Sequence, residues 1–112
     1  MRIWVLLITL FSPTLAWADT MCKGQVNDLV VSRGGVVLLS GPGDIKSAYI
    51  CSVVSKNNNV EPEACKVMYS TLLAAKLSDH DVIVTFNPEI TDCSAVPSWK
   101  WAVGFNWVYI TK

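Results

Sequence analysis

Nine basic against nine acidic side chains in 112 residues leave no net charge with His80 neutral, so the basic field that nucleic-acid binding requires is absent. One histidine, and four cysteines without a Cys-x-x-Cys pair, exclude the closely spaced ligand sets of ordinary zinc sites. Past Ala18 no apolar run approaches the roughly 18 residues of a membrane span; the longest, Val67 to Leu77, is broken by Tyr69, Ser70, Thr71 and Lys76.

The chain opens with Arg2, an apolar run from Ile3 to Phe11, Pro13 and then Ala16-Trp17-Ala18. A charged start, an apolar middle and a small-residue end predict a signal peptide over 1–18, cleaved after Ala18. The product is a single domain, 19–112, delivered to the periplasm or secreted. Thr20-Met21 ahead of Cys22 lacks the small residue of a lipoprotein site, so no lipid anchor and no stable membrane insertion are expected.

Gln25 to Ser32 reads as the first strand, and Arg33-Gly34-Gly35 as a tight hairpin turn into a second strand, Val36 to Leu39. Gly41-Pro42-Gly43 ends that run. Ala48 to Val54 is the third strand, with Tyr49, Cys51 and Val53 on one face and Ile50, Ser52 and Val54 on the other. Lys56-Asn57-Asn58-Asn59 is a polar loop.

The period then changes. Pro62 between Glu61 and Glu63 starts a helix, with proline in the first turn and acids near the positive end of the dipole. Cys65, Met68, Leu72 and Ala75 recur at helical spacing, which predicts a helix from about Pro62 to Leu77 that stops at Ser78-Asp79. Val82 to Phe86 is the fourth strand, Asp92 to Trp101 an irregular segment, and Trp107 to Thr111 the fifth strand. This is an α+β, mainly β domain. One helix between strands three and four is the order of an OB-fold, a small five-stranded barrel. The rival is an open antiparallel sheet with the helix across one face.

Four cysteines in a small exported domain predict two disulfides. Cys51 lies on the strand that precedes the helix bearing Cys65, which favours Cys51–Cys65 and leaves Cys22–Cys93. All three pairings remain open on sequence alone. Asp79-His80-Asp81 reads as a solvated turn rather than a base or metal site, because consecutive residues rarely converge on one point. No Gly-x-Ser-x-Gly, paired-histidine or phosphate-loop motif is present. The chain is therefore read as non-enzymatic, with no cofactor and no metal.

Trp99, Trp101, Phe105, Trp107 and Tyr109 crowd the C-terminal end. Trp99 and Trp101 share a parity, as do Trp107 and Tyr109, so each pair shares a face wherever the chain is extended. Exposed tryptophans stack on sugar rings or anchor interfaces, whereas buried ones fill a core short of volume. Trp99, Trp101 and Trp107 are the candidate partner-binding residues, with at least one expected to be solvent-accessible.

Ala48-Tyr49-Ile50-Cys51-Ser52-Val53, Val60-Glu61-Pro62-Glu63-Ala64-Cys65-Lys66, Leu72-Leu73-Ala74-Ala75-Lys76 and Val82-Ile83-Val84 together resemble a group of small exported bacterial proteins. That group is similar to the receptor-binding B subunit of subtilase cytotoxin and its pertussis-like relatives. The resemblance runs from about Ala48 to Phe86. It implies an OB-fold barrel and a Cys51–Cys65 bridge, and in the toxin subunits a pentameric ring and sialoglycan binding. Cys22 and the stretch Cys93 to Trp99 have no counterpart in it, and no sugar-binding residue carries over. The expectation is a binding domain for a glycan or protein partner, as a monomer or small oligomer. The alternative is a periplasmic inhibitor or accessory protein that occludes an enzyme with the asparagine loop or the Trp99 region.

Overall fold

The computed structural model describes residues 20–112; the signal peptide expected over 1–18 lies outside the described residues. The strands are β1 (Thr20–Gln25), β2 (Asp28–Val31), β3 (Val36–Ser40), β4 (Ala48–Ser52), β5 (Asp81–Phe86) and β6 (Phe105–Thr111), with one α-helix, α1 (Pro62–Ser78), between β4 and β5. Over the described residues the domain is mainly β, with one α-helix and two disulfides. Its strands form two three-stranded sheets, β1-β5-β6 and β2-β3-β4, antiparallel throughout. The sequence suggested one five-stranded barrel instead.

The difference begins at the first strand. Gln25 to Ser32 is not one element: β1 starts at Thr20, and Val26-Asn27 steps the chain from one sheet to the other. β1 reads Thr-Met-Cys-Lys-Gly-Gln, without the β-branched run that marks a strand. Its conformation is imposed by the ladder to β5, from Thr20 opposite Phe86 to Gln25 opposite Asp81.

The hairpin forms as expected, with Ser32 N–H donating to Val36 O (2.9 Å) and Gly35 N–H to Ser32 O (2.9 Å). In β4 a bulge breaks the alternation read from sequence. Val37 pairs with Cys51 but Leu38 pairs with Tyr49, so Ile50 is the extra residue. One inserted residue reverses the parity of everything beyond it. Cys51 therefore faces the helix while Tyr49 turns to the opposite face of the sheet.

α1 starts as its sequence dictates. Glu61 is extended, Pro62 takes the first turn, and Cys65 N–H reaches Glu61 O at 2.9 Å. It ends at Asp79, whose left-handed conformation (φ 57°) lets its own N–H and that of His80 close on Ala75 O. Cys65, Leu72 and Ala75 are buried, and Met68 packs beside them. They meet Val37, Leu39, Ile50, Val82, Val84 and Phe86 in one core.

Two bridges close that core, Cys51–Cys65 and Cys22–Cys93. The second explains a glycine. A Cβ on Gly43 (φ 60°) would lie 2.8 Å from the Cβ of Cys22 and 2.9 Å from that of Cys93, so the turn Pro42–Asp44 can lie against the bridge only because Gly43 has no side chain.

Candidate functional site

β3 reads Val-Val-Leu-Leu-Ser, apolar at four successive positions rather than alternate ones. A strand of that composition needs cover on both faces of its sheet. Val37 and Leu39 face the main core. Leu38 is also buried, at 6 % exposure, yet it stands outside that core. Its cover comes from the chain around Trp99 and Trp101.

Residues 99–102 run parallel to β4. Trp99 N–H donates to Ser47 O (2.7 Å), Tyr49 N–H to Lys100 O (3.0 Å), and Ala102 N–H to Tyr49 O (2.8 Å). The Tyr49–Trp101 bridge is thereby the fourth member of a row, Val30, Leu38, Tyr49 and Trp101, across the outer face of the second sheet. Both indoles stand edge-on to the Tyr49 ring, Trp101 at 5.6 Å between centroids and Trp99 at 6.3 Å. The three rings and Val30, Ser32, Val36 and Leu38 line a cleft of about 290 Å³.

Trp99 is unusual twice over. It is 64 % exposed, and its φ of 57° is a left-handed conformation that suits glycine or asparagine. Nothing in the core requires that bulky ring at that backbone. Backbone strain at a bulky exposed side chain lining a cleft makes Trp99 the candidate functional position.

Two loops hold the aromatic segment in place. Asn57 and Val60 pair across Asn58 and Asn59, which are both left-handed (φ 53° and 60°), as a type I′ turn requires. The turn directs the Asn58 amide inward. Its Nδ2 donates to Ile50 O (3.0 Å) and to Ala102 O (2.9 Å), clamping the segment to β4. On the other side the Asp92 carboxylate accepts the Ser94 N–H at 2.9 Å and caps the short turn Cys93–Ala95. That backbone N–H, followed by the Ser94 hydroxyl, holds the Asp92 carboxyl below its ordinary value.

Of the three tryptophans singled out from sequence, the structure brings Trp99 and Trp101 together and leaves Trp107 elsewhere. They meet around Tyr49 even though Trp99 is not extended. Trp107, 63 % exposed, lies with Tyr109 and Ile83 on the outer face of the other sheet. The sequence pattern does not single out Tyr49, Val30, Val36 or Leu38, which line the cleft. The doubly apolar β3 is the signal that its outer face had to meet something.

In the Asp79-His80-Asp81 trio, Asp79 and His80 form an exposed turn in which His80 Nδ1 lies 2.7 Å from Ser78 Oγ, and Asp81 opens β5. Among the described residues, no group of three or more His, Cys, Asp or Glu could hold a metal ion, and no helix is long and apolar enough to cross a membrane. Comparison with family models, with curated proteins and with solved structures finds no match.

Proposed function

We propose that this chain is an exported, non-enzymatic binding domain that seats a sugar unit of a glycan in the cleft of Tyr49, Trp99 and Trp101. The exposed, left-handed Trp99 at the mouth of that cleft carries the reading. An indole held at a fixed angle offers a flat apolar platform to the C–H face of a sugar ring. The hydroxyls of Ser32 and Tyr49 supply polar contacts beside it. Export is inferred from the leader sequence together with two disulfides, which persist in oxidising compartments.

An OB-like reading of the fold supports the same site. β1 and β2, two residues apart, can be counted as one bent strand that passes from one sheet to the other, and the isolated parallel bridge Tyr49–Trp101 ties the segment before β6 to β4. Counted so, the strand order is that of the five-stranded OB barrel. The cleft then lies on the face of its second and third strands, between the loop after the first strand and the loop before the last. That is where OB-folds take oligonucleotides and oligosaccharides, an argument by fold analogy. The balanced charge speaks against the nucleic acid. The resemblance to toxin B subunits read from the sequence over Ala48 to Phe86 would imply a glycan partner as well.

A protein partner is the second reading, favoured by exposed Val30 in the cleft lining, which suits an apolar anchor better than a sugar. A glycan array probed with the wild-type domain and with Trp99→Gly separates the two. The expected result is binding by the wild type that the folded variant loses. Absence of glycan binding, with stoichiometric capture of one protein through the same cleft, would replace the glycan reading by the second.

A further inference from the structure

We infer that the cleft is specific for an uncharged sugar unit bearing a methyl group, either the C6 methyl of a 6-deoxyhexose or the acetamido methyl of an N-acetylhexosamine. The inference rests on the glycan reading above and adds the chemistry of the unit. At about 290 Å³ the cleft sits at the lower end of small-molecule sites, which span roughly 300–1,000 Å³. It accommodates one ring, such as a terminal residue, rather than a length of chain.

Charge is the first discriminator. None of the residues lining the cleft is charged. Arg33 follows Ser32 in the hairpin turn and Lys100 separates the two tryptophans in sequence, but neither lines the cleft. A carboxylate brought against three aromatic rings and three aliphatic side chains would lose water without meeting a cation, which is strongly unfavourable. The acidic sugar implied by the toxin-subunit resemblance therefore does not suit this site.

The division of polar and apolar wall is the second. Val30, Val36 and Leu38 form a continuous aliphatic surface on the outward face of β2 and β3. Side-chain polar capacity is confined to two hydroxyls and the indole N–H groups of Trp99 and Trp101, and of these only the hydroxyls can accept. Ser32 Oγ already accepts the Val36 N–H at 3.0 Å and keeps its own proton to donate, and Tyr49 supplies the other. An ordinary hexose carries a hydroxyl on nearly every carbon, so seating its ring on the tryptophans turns one toward the aliphatic wall with no partner. A methyl group there removes the unpaired hydroxyl and fills the space with apolar contact. Discrimination by a single such group in an apolar pocket runs to about tenfold or more.

The test is an NMR titration of the uniformly labelled domain with five free sugars: D-fucose, D-galactose, N-acetylglucosamine, glucose and D-galacturonate. D-fucose should bind about tenfold tighter than D-galactose if the C6 methyl is read, or N-acetylglucosamine about tenfold tighter than glucose if the acetamido methyl is read. Shifts should fall on Val30, Leu38, Tyr49 and Trp101, and galacturonate should bind no better than galactose. Val30→Thr, at a half-exposed position, should keep the fold and narrow the preference. Equal affinity for methyl-bearing and parent sugars, or tighter binding of galacturonate, would overturn the specificity and leave the glycan reading standing. No cleft shift with any of the five would overturn both.

Discussion

At Trp99 the side chain is mostly in water and the backbone is left-handed, so neither solvation nor conformation explains the residue. Replacing it by glycine relieves roughly 1–2 kcal/mol of backbone strain. The edge contact with Tyr49, worth about 0.5–1.5 kcal/mol, is lost, and glycine adds about 0.5–1 kcal/mol of chain entropy to be overcome. The covered third of the ring adds up to about 2 kcal/mol of lost burial. Trp99→Gly should therefore lose no more than about 2 kcal/mol in a denaturant titration. A fall of several kcal/mol would make Trp99 a structural residue and remove the reason for calling the site functional. Asp92 makes a separate prediction at this scale. Its lowered pKa comes first from the Ser94 backbone N–H and only then from the Ser94 hydroxyl. The stabilisation this implies is present above the ordinary aspartate value and is lost as pH falls through the lowered one. NMR titration should place Asp92 below the usual aspartate value, and Ser94→Ala should bring it only part of the way back. A full return would mean that the hydroxyl, not the backbone, holds the carboxylate.

Among the elements, the turn Asn57–Val60 does more than connect β4 to α1. Asn58→Gly keeps the left-handed backbone and deletes the amide, leaving Ile50 O and Ala102 O without their shared donor. A loss of about 1–3 kcal/mol is expected by denaturation. Hydrogen exchange should speed up at the amides of Tyr49 and Ala102, which hold the segment to β4. Unchanged exchange would show that those backbone bonds suffice alone. The asparagine run reads from sequence only as a polar loop, because its clamp reaches a segment far along the chain. α1 and the hairpin, by contrast, are legible to within a residue or two, since Pro62, the Cys65-Leu72-Ala75 stripe and Gly34-Gly35 each act locally. β1 is not legible, because its conformation comes from β5. The Ile50 bulge is not legible either. It turns Tyr49 away from Cys51, so strict alternation hides the ring that organises the site. Trp99 and Trp101 were identifiable by type and spacing; their floor was not, because Val30 and Leu38 join them only through strand pairing.

For the whole molecule, the two bridges divide the work. Cys51–Cys65 spans a sequence separation of 14 and Cys22–Cys93 one of 71. The chain-entropy account assigns about 3 kcal/mol to the first and roughly 4 kcal/mol to the second. Paired Cys→Ser variants measured by denaturant unfolding should rank in that order. The reverse order would place local docking of α1 on β4 above loop closure as the main source of stability. Both bridges also serve the cleft: one anchors the helix behind β4, and the other fixes the start of the segment that delivers Trp99 and Trp101. The domain thus presents two exposed aromatic faces on opposite sheets, and the one around Tyr49 encloses a cleft. The most direct measurement is a chemical-shift map of the labelled domain with a glycan selected from the array. The account predicts shifts centred on Val30, Leu38, Tyr49 and Trp101. A map centred on Met21, Ile83, Trp107 and Tyr109 would contradict it.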